Sequence, residues 1–416
     1  MCGSVVFVTQ VEAGISLANF SLSSPTATPT PTPSLTSAIY TANPTLNSLS
    51  VFPAGNSGNV PSVFAQTLLS NPYGIAYSAG NLYVTNAAGD SITVYPASAV
   101  GSPSPIMTIS GPSTQLDDPV AIALDAAGNI YVANQGSPAG NPDSITIYPA
   151  GSNGNVAPTA TITGPNTGLD FPSALTIDSH GNIYVANAGS SVEALDSITV
   201  YSAGSSGNST PANVISGSST ELASPGGVAV DSNGNIYATS LGVEGVGSVA
   251  VLIYAAGSTG NVAPITSIDG DCAVITSPGA IALDSSANVY VTNPGNIASG
   301  DESVAVFTQV SLEPGPPQCL TPAANIFGWS TGLDQPFGIA VDPTGNMYVT
   351  NSDADSIAVF QSGANGNATP SATLASPNAV LNPTNVAVDT SQNIYVTNAG
   401  DQVGGADSVT IYPPGK

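Results

Sequence analysis

The sequence predicts an all-β fold, a β-propeller of four-stranded antiparallel blades, and three observations carry that prediction. One phrase returns seven times, and in its second copy reads Pro119, Ala121-Ile122-Ala123-Leu124-Asp125, Gly128-Asn129-Ile130-Tyr131-Val132, Asn134 and Asp143-Ser144-Ile145-Thr146-Ile147-Tyr148. Its spacing of roughly fifty residues is the mark of a repeat architecture. Within each copy, apolar residues alternate with period two in short runs bounded by Gly, Asn and Asp, as strands do. Finally, Ile, Val and Tyr persist on both faces of the middle strands, which a lone sheet cannot bury and radially stacked blades can.

The elements follow in order. Residues 1–37 are an N-terminal segment whose run Pro25-Thr26-Ala27-Thr28-Pro29-Thr30-Pro31-Thr32-Pro33 predicts an extended, polyproline-like linker. Residues 38–416 hold the repeats. The first strand of a repeat ends in Asp (Asp125, Asp178, Asp231, Asp284, Asp342, Asp389). A tight turn such as Asp231-Ser232-Asn233-Gly234-Asn235 leads to the second strand, its Gly supplying the positive φ that such turns need. The third strand carries Ile-Thr-Val-Tyr (Ile92 to Tyr95, Ile198 to Tyr201), and a loop such as Gly151-Ser152-Asn153-Gly154-Asn155 precedes a fourth (Thr159 to Thr163). At the ends the repeats are partial: the N-terminus offers second, third and fourth strands, and the C-terminus first, second and third. Seven or eight blades are expected, eight preferred, with the ring closed by pairing of the N- and C-terminal partial repeats.

These repeats resemble the NHL family of propellers over residues 38–416. The likeness rests on Pro-x-x-Ile-Ala-Val-Asp, Gly-Asn-Ile-Tyr-Val and a closing Val-Tyr or Val-Phe, seen most cleanly from Pro336 to Phe360. The resemblance implies a propeller and leaves the activity open, because the family and its relatives include interaction modules, RNA binders, lyases and metal-dependent lactonases. Many family units carry Arg ahead of the third strand; here Ser91, Ser144, Ser197, Ser303, Ser356 and Ser408 stand there. A zinc site of several histidines is excluded, since His180 is the one histidine.

Composition narrows the function. Twenty-six acids face one base, Lys416, for a formal net charge of −25. Nucleic-acid binding and polybasic docking to anionic lipid both need cationic groups that the chain does not have. No apolar stretch is long enough for a transmembrane span. Cys2-Gly3-Ser4 resembles the mature N-terminus of a bacterial lipoprotein, so a lipid anchor at Cys2 is one expectation. The Thr/Pro stalk, the scarcity of Lys and Arg and the resemblance to exported bacterial propellers lead to the expectation of a location outside the cell or on a bacterial cell surface. Cys272 and Cys319 fall in loops predicted on opposite faces, and whether they pair stays open.

One candidate site is periodic. Loops after the second and fourth strands open on one face of a propeller. That face should collect Asn86, Asn134, Asn187, Asn293, Asn351 and Asn398, with Asp90, Asp143, Asp196, Glu302, Asp355 and Asp407 just before the third strands. Asp117, Asp118, Asp170 and Asp334 join from the inter-blade connections. Two readings stand: Asx-type turns bonded to nearby backbone, or oxygen ligands for a hard cation such as Ca²⁺. The function expected is a non-catalytic, exported or cell-surface scaffold presenting this acidic face to a protein, a glycan or divalent cations. The alternative is a metal-dependent, lactonase-like hydrolase with a cation in the channel. No catalytic residues or cofactor-binding motif are assigned. Trp329 and Cys319 fall in the most irregular repeat, with the longest loop between third and fourth strands (Thr308 to Pro322); such a loop can carry specificity, and the plainer reading is a tolerated insertion with Trp329 packing between blades.

Overall fold

The computed structural model describes residues 38–43, 48–53, 58–59, 64–66, 70–96, 104–137, 141–189, 196–242, 249–269, 274–295, 302–308, 310, 320–354, 356–375, 383–388, 394–398 and 408–412. The 1–37 segment, Cys2, Cys272, Cys319, Asp355, Asp389 and Asp407 lie outside them.

Six complete repeats form six four-stranded antiparallel blades, each a meander of four strands in chain order. The second blade shows the pattern: Pro119–Leu124 innermost, then Ile130–Asn134, Ser144–Tyr148 and Ala160–Thr163 outermost. The innermost strands begin with Pro at Pro72, Pro119, Pro172, Pro225 and Pro336. Just after each, the register with the second strand shifts. A proline at the first position of a strand sacrifices no ladder bond, and the bulge re-aims the chain toward the axis.

The expectation of seven or eight four-stranded blades, eight preferred, is corrected: there are six. The partial repeats do not stand as blades of their own. They merge into one mixed six-stranded sheet, in the order Pro383–Val388, Ile394–Asn398, Ser408–Tyr412, Ala38–Asn43, Ser48–Pro53, Phe64–Gln66. The join is narrow, with Ala42 opposite Ser408. A strand from each terminus meets there, so the two partial repeats share one sheet and do not stand as separate stacks. Pro383–Val388 packs against Pro336–Val341 of the sixth blade and reaches Pro72–Ser78 of the first, so the terminal sheet closes the ring.

Adjacent blades are clasped by a repeated device. The Gly/Asn loop between the third and fourth strands reaches back to the outermost strand of the preceding blade. Gly154 N–H donates to Thr108 O at 2.6 Å, and Asn155 Oδ1 accepts from Ser113 N–H at 2.8 Å. Gly207 with Asn208, Gly260 with Asn261 and Gly366 with Asn367 repeat both bonds. Gly58–Asn59 pairs in parallel with Leu374 and Ala375, so the terminal sheet holds the sixth blade in the same way. Between blades lie the fully buried tyrosines that end the third strands, among them Tyr148, Tyr201 and Tyr254. Tyr201 donates its hydroxyl to Thr167 O at 2.6 Å, pairing the polar end of a large apolar ring. Among the described residues no helix is long and apolar enough to cross a membrane.

Candidate acidic face

The Asp that follows the innermost strand in the second to sixth blades is a turn residue; in the first blade that strand ends in Tyr77 and Ser78. Asp342 Oδ1 accepts from the N–H groups of Thr344 and Asn346, and its Oδ2 from Asn346 Nδ2 and the Tyr348 hydroxyl at 3.0 Å. Asp125, Asp178, Asp231 and Asp284 repeat the set. Burial works to raise the Asp342 carboxyl, but these donors outweigh it and hold it below the ordinary carboxylate range. Tyr290 is pushed up to about 12 by burial and by the neighbouring carboxylates of Asp284 and Asp342.

The asparagines ending the second strands are buried. Asn187 Nδ2 donates to Ser197 Oγ and Thr199 Oγ1, both at 3.2 Å, and its Oδ1 accepts from Asp170 N–H at 3.3 Å. Asn134 and Asn351 meet Asp117 and Asp334 by the same route, and Asn293 Oδ1 takes the N–H groups of Thr276 and Ser277 at 2.9 and 2.8 Å. Asn86 donates to Thr93 Oγ1 at 3.2 Å. Ser240 stands in for Asn in the fourth blade, accepting from Ala223 N–H at 2.9 Å. All but Asn86, whose amide bonds within its own blade and whose Oδ1 is buried without a partner among the described residues, tie the inter-blade connection to their own blade. The Asn398 backbone ends a strand of the terminal sheet.

The carboxylates ahead of the third strands do a second job. Asp90 Oδ1 accepts from Asp118 N–H at 3.0 Å, and Asp143 Oδ2 from Phe171 N–H at 2.8 Å. Asp196 likewise accepts from Ser224 N–H. The three recipients share φ near +50° (51°, 54° and 50°), so each carboxylate pins a left-handed corner at the start of the next blade. Glu302 is half-buried at the equivalent place in the fifth blade.

These bonds draw acids together. Asp118 is pushed up by burial and then by Asp90 and Asp117. Burial also raises Asp143 and Asp196 against their backbone donors, with Asp170 adding repulsion to both. Asp334 is raised by burial and by Asp353. The structure thus brings Asp90, Asp117 and Asp118 into one neighbourhood, Asp143, Asp170 and Asp196 into a second, and Asp334 and Asp353 into a third. Among the described residues, no three Asp, Glu, His or Cys side chains are grouped closely enough to hold a metal ion. Sequence reading missed the partners of these carboxylates, which sit 28 residues away in the next connection. The constant offset between the two positions was the available signal.

Two other features stand apart. A cavity of about 730 Å³ opens beside the turns of Asp231, Asp284 and Asp342, at the fifth blade, whose innermost strand is cut to Ile281–Leu283. Trp329 does not pack between blades as expected but is fully exposed.

No family model and no curated protein matches this sequence. Solved structures do. The chain is similar to Kuenenia stuttgartiensis hydrazine synthase (17 % identity, TM-score 0.60, 86 % of this chain and 99 % of that one). It is similar to a protein of unknown function from Desulfotomaculum acetoxidans (12 % identity, TM-score 0.57, 79 % and 94 %). A 6-phosphogluconolactonase-like protein from Bacteroides fragilis aligns at 16 % identity with a TM-score of 0.53, over 80 % and 92 %. At such identities the likeness establishes the propeller fold.

Proposed function

We propose that this protein is a non-catalytic scaffold, exported or held at a bacterial cell surface, that presents its acidic face to a partner. The observation that supports this most is the crowding of carboxylates with no lysine or arginine among the described residues to balance them. Asp118, Asp143, Asp196 and Asp334 are all raised by burial with acidic neighbours adding, so a bound cation or a cationic surface relieves the face. The blades read as NHL repeats on the motifs from Pro336 to Phe360, with Ser in place of the basic residue of many family members. Divalent cations such as Ca²⁺ are natural counter-charges for such a face, with Asp90, Asp118, Asp143 and Asp196 the carboxylates that meet them.

The test is a thermal melt of the full chain in EDTA, in millimolar Ca²⁺, and in NaCl of matched ionic strength. A ligand that binds the folded state alone raises the midpoint. The midpoint should rise by several degrees in Ca²⁺ beyond the NaCl control, and less in Asp118→Asn and Asp143→Asn. Equal midpoints in Ca²⁺ and matched NaCl would remove the acidic face as a cation-binding surface. Turnover of a lactone panel that EDTA abolishes would replace the scaffold reading with the hydrolase.

A further inference from the structure

The fifth blade breaks the repeat pattern at its outer edge, and it does so twice. The last residue of the outermost strand is Ser110, Thr163, Ser216, Asp269 and Ala375 in the other blades, and Phe327 here. Two residues on, where the sister connections carry Pro112, Pro165 and Ser218, this one carries Trp329, the one tryptophan of the chain. Trp329 is fully exposed and Phe327 is 51 % exposed. Lone exposed apolar residues are ordinary, but two large exposed aromatics where the sister repeats carry small, polar or proline residues are a departure from the repeat.

The backbone beneath them is held firmly. Gly328 takes φ 103°, and both the N–H and the hydroxyl of Thr331 bond to its carbonyl, at 3.0 and 2.7 Å. Ser330 N–H donates to Asn367 Oδ1 of the next blade at 2.7 Å, and Asn367 Nδ2 returns a bond to Ser330 Oγ at 3.1 Å. Trp329 therefore projects from a turn whose backbone is already clasped, and a partner has little backbone ordering to overcome. The same connection runs on to Asp334, whose exposed carboxylate lies within electrostatic reach of exposed Asp353.

We propose that this aromatic and acidic corner of the fifth blade docks a lysine- or arginine-bearing segment of a partner protein. Trp329 takes the cationic group on its ring face, and Asp334 and Asp353 supply the counter-charge. Tryptophan is the best of the aromatic rings for this contact. Charge complementarity selects the occupant: a second copy of this chain, at a net charge of −25, would be repelled, and a neutral glycan would make no use of the carboxylates. The inference rests on the acidic-face reading and assigns its anchor.

Because the chain has a single tryptophan, its emission reports this corner without a label. The full chain is titrated with capped decalysine, and with cellohexaose as a neutral sugar. A saturable change in emission with the peptide, weakening as salt rises, is expected. Labelled peptide read by anisotropy should bind Trp329→Ala about two- to fivefold more weakly, the range of an exposed cation–π contact. The Asp334→Asn/Asp353→Asn pair should weaken it similarly. Melting of Trp329→Ala should be unchanged, since the ring packs on nothing. Equal binding by wild type and Trp329→Ala would overturn the anchor while leaving the acidic face standing. No peptide binding to either would overturn both. A response to cellohexaose without one to the peptide would overturn the proposal in favour of a sugar.

Discussion

Asn187 has no room to serve anything but its own blade. Its amide hydrogens and its oxygen are spent on Ser197, Thr199 and the backbone of Asp170, in a fully buried position. Removing the side chain strands those partners away from water, and each buried unpaired group costs about 1–3 kcal/mol. Asn187→Ala should therefore lower stability by about 2–4 kcal/mol, read as a drop in the urea midpoint at unchanged slope. A surface ligand residue would instead leave the midpoint in place. Position and residue type were legible in the sequence here, because Asn recurs at the end of every second strand but that of the fourth blade. The role was not, because the donor to its oxygen lies 17 residues upstream in the connection, where only the folded ring brings the two together.

At the scale of the element, the blade-to-blade clasp depends on glycine in a way that can be tested as a coupled pair. Gly164 has φ 120°, and a Cβ there would lie 2.7 Å from Asn208 Oδ1, the atom that caps the connection. Gly164→Ala thus meets both a backbone penalty and a clash, together about 1–3 kcal/mol. Asn208→Ala alone loses the cap to Asn166 N–H. The double variant loses the cap but is spared the clash, so its destabilisation should fall short of the sum of the singles, as contacting sites do. Strict additivity in denaturant melts would mean that the strain resides in the backbone alone. Strands and hairpin turns could be read from the period of two and the Asp-x-x-Gly-Asn turns. The clasp could not, because a Gly/Asn loop reads locally as solvent-facing and its partner belongs to the preceding repeat.

For the whole molecule, the number of complete repeats was legible, six between two partial ones, while the fate of the partial ones was not. Periodicity counts strands and cannot say whether two half-units stack or fuse, which was decided by the pairing of Ala42 with Ser408. Charge has the same global character, and it sets opposing trends in pH. The turn carboxylates Asp178 and Asp342 are lowered on folding, so their stabilisation is present above about pH 4 and is lost as pH falls through their folded values. Asp118, Asp143, Asp196 and Asp334 are raised, so their contribution is full below about pH 4 and is lost as pH rises through their folded values. At neutral pH the face therefore opposes folding. Acidification from neutrality should first raise the melting temperature and then, below about pH 4, lower it. Asp118→Asn and Asp143→Asn should raise the midpoint at neutral pH and flatten the first limb alone, and Asp342→Asn should lower it and flatten the second. On the alkaline side Tyr131, Tyr184 and Tyr290 are raised to about 12, so stability holds to about pH 10 and is lost as pH climbs through 12. A melting temperature that falls steadily from neutrality downward would mean that the face carries no unrelieved repulsion, and with it would go the electrostatic ground for a cationic partner.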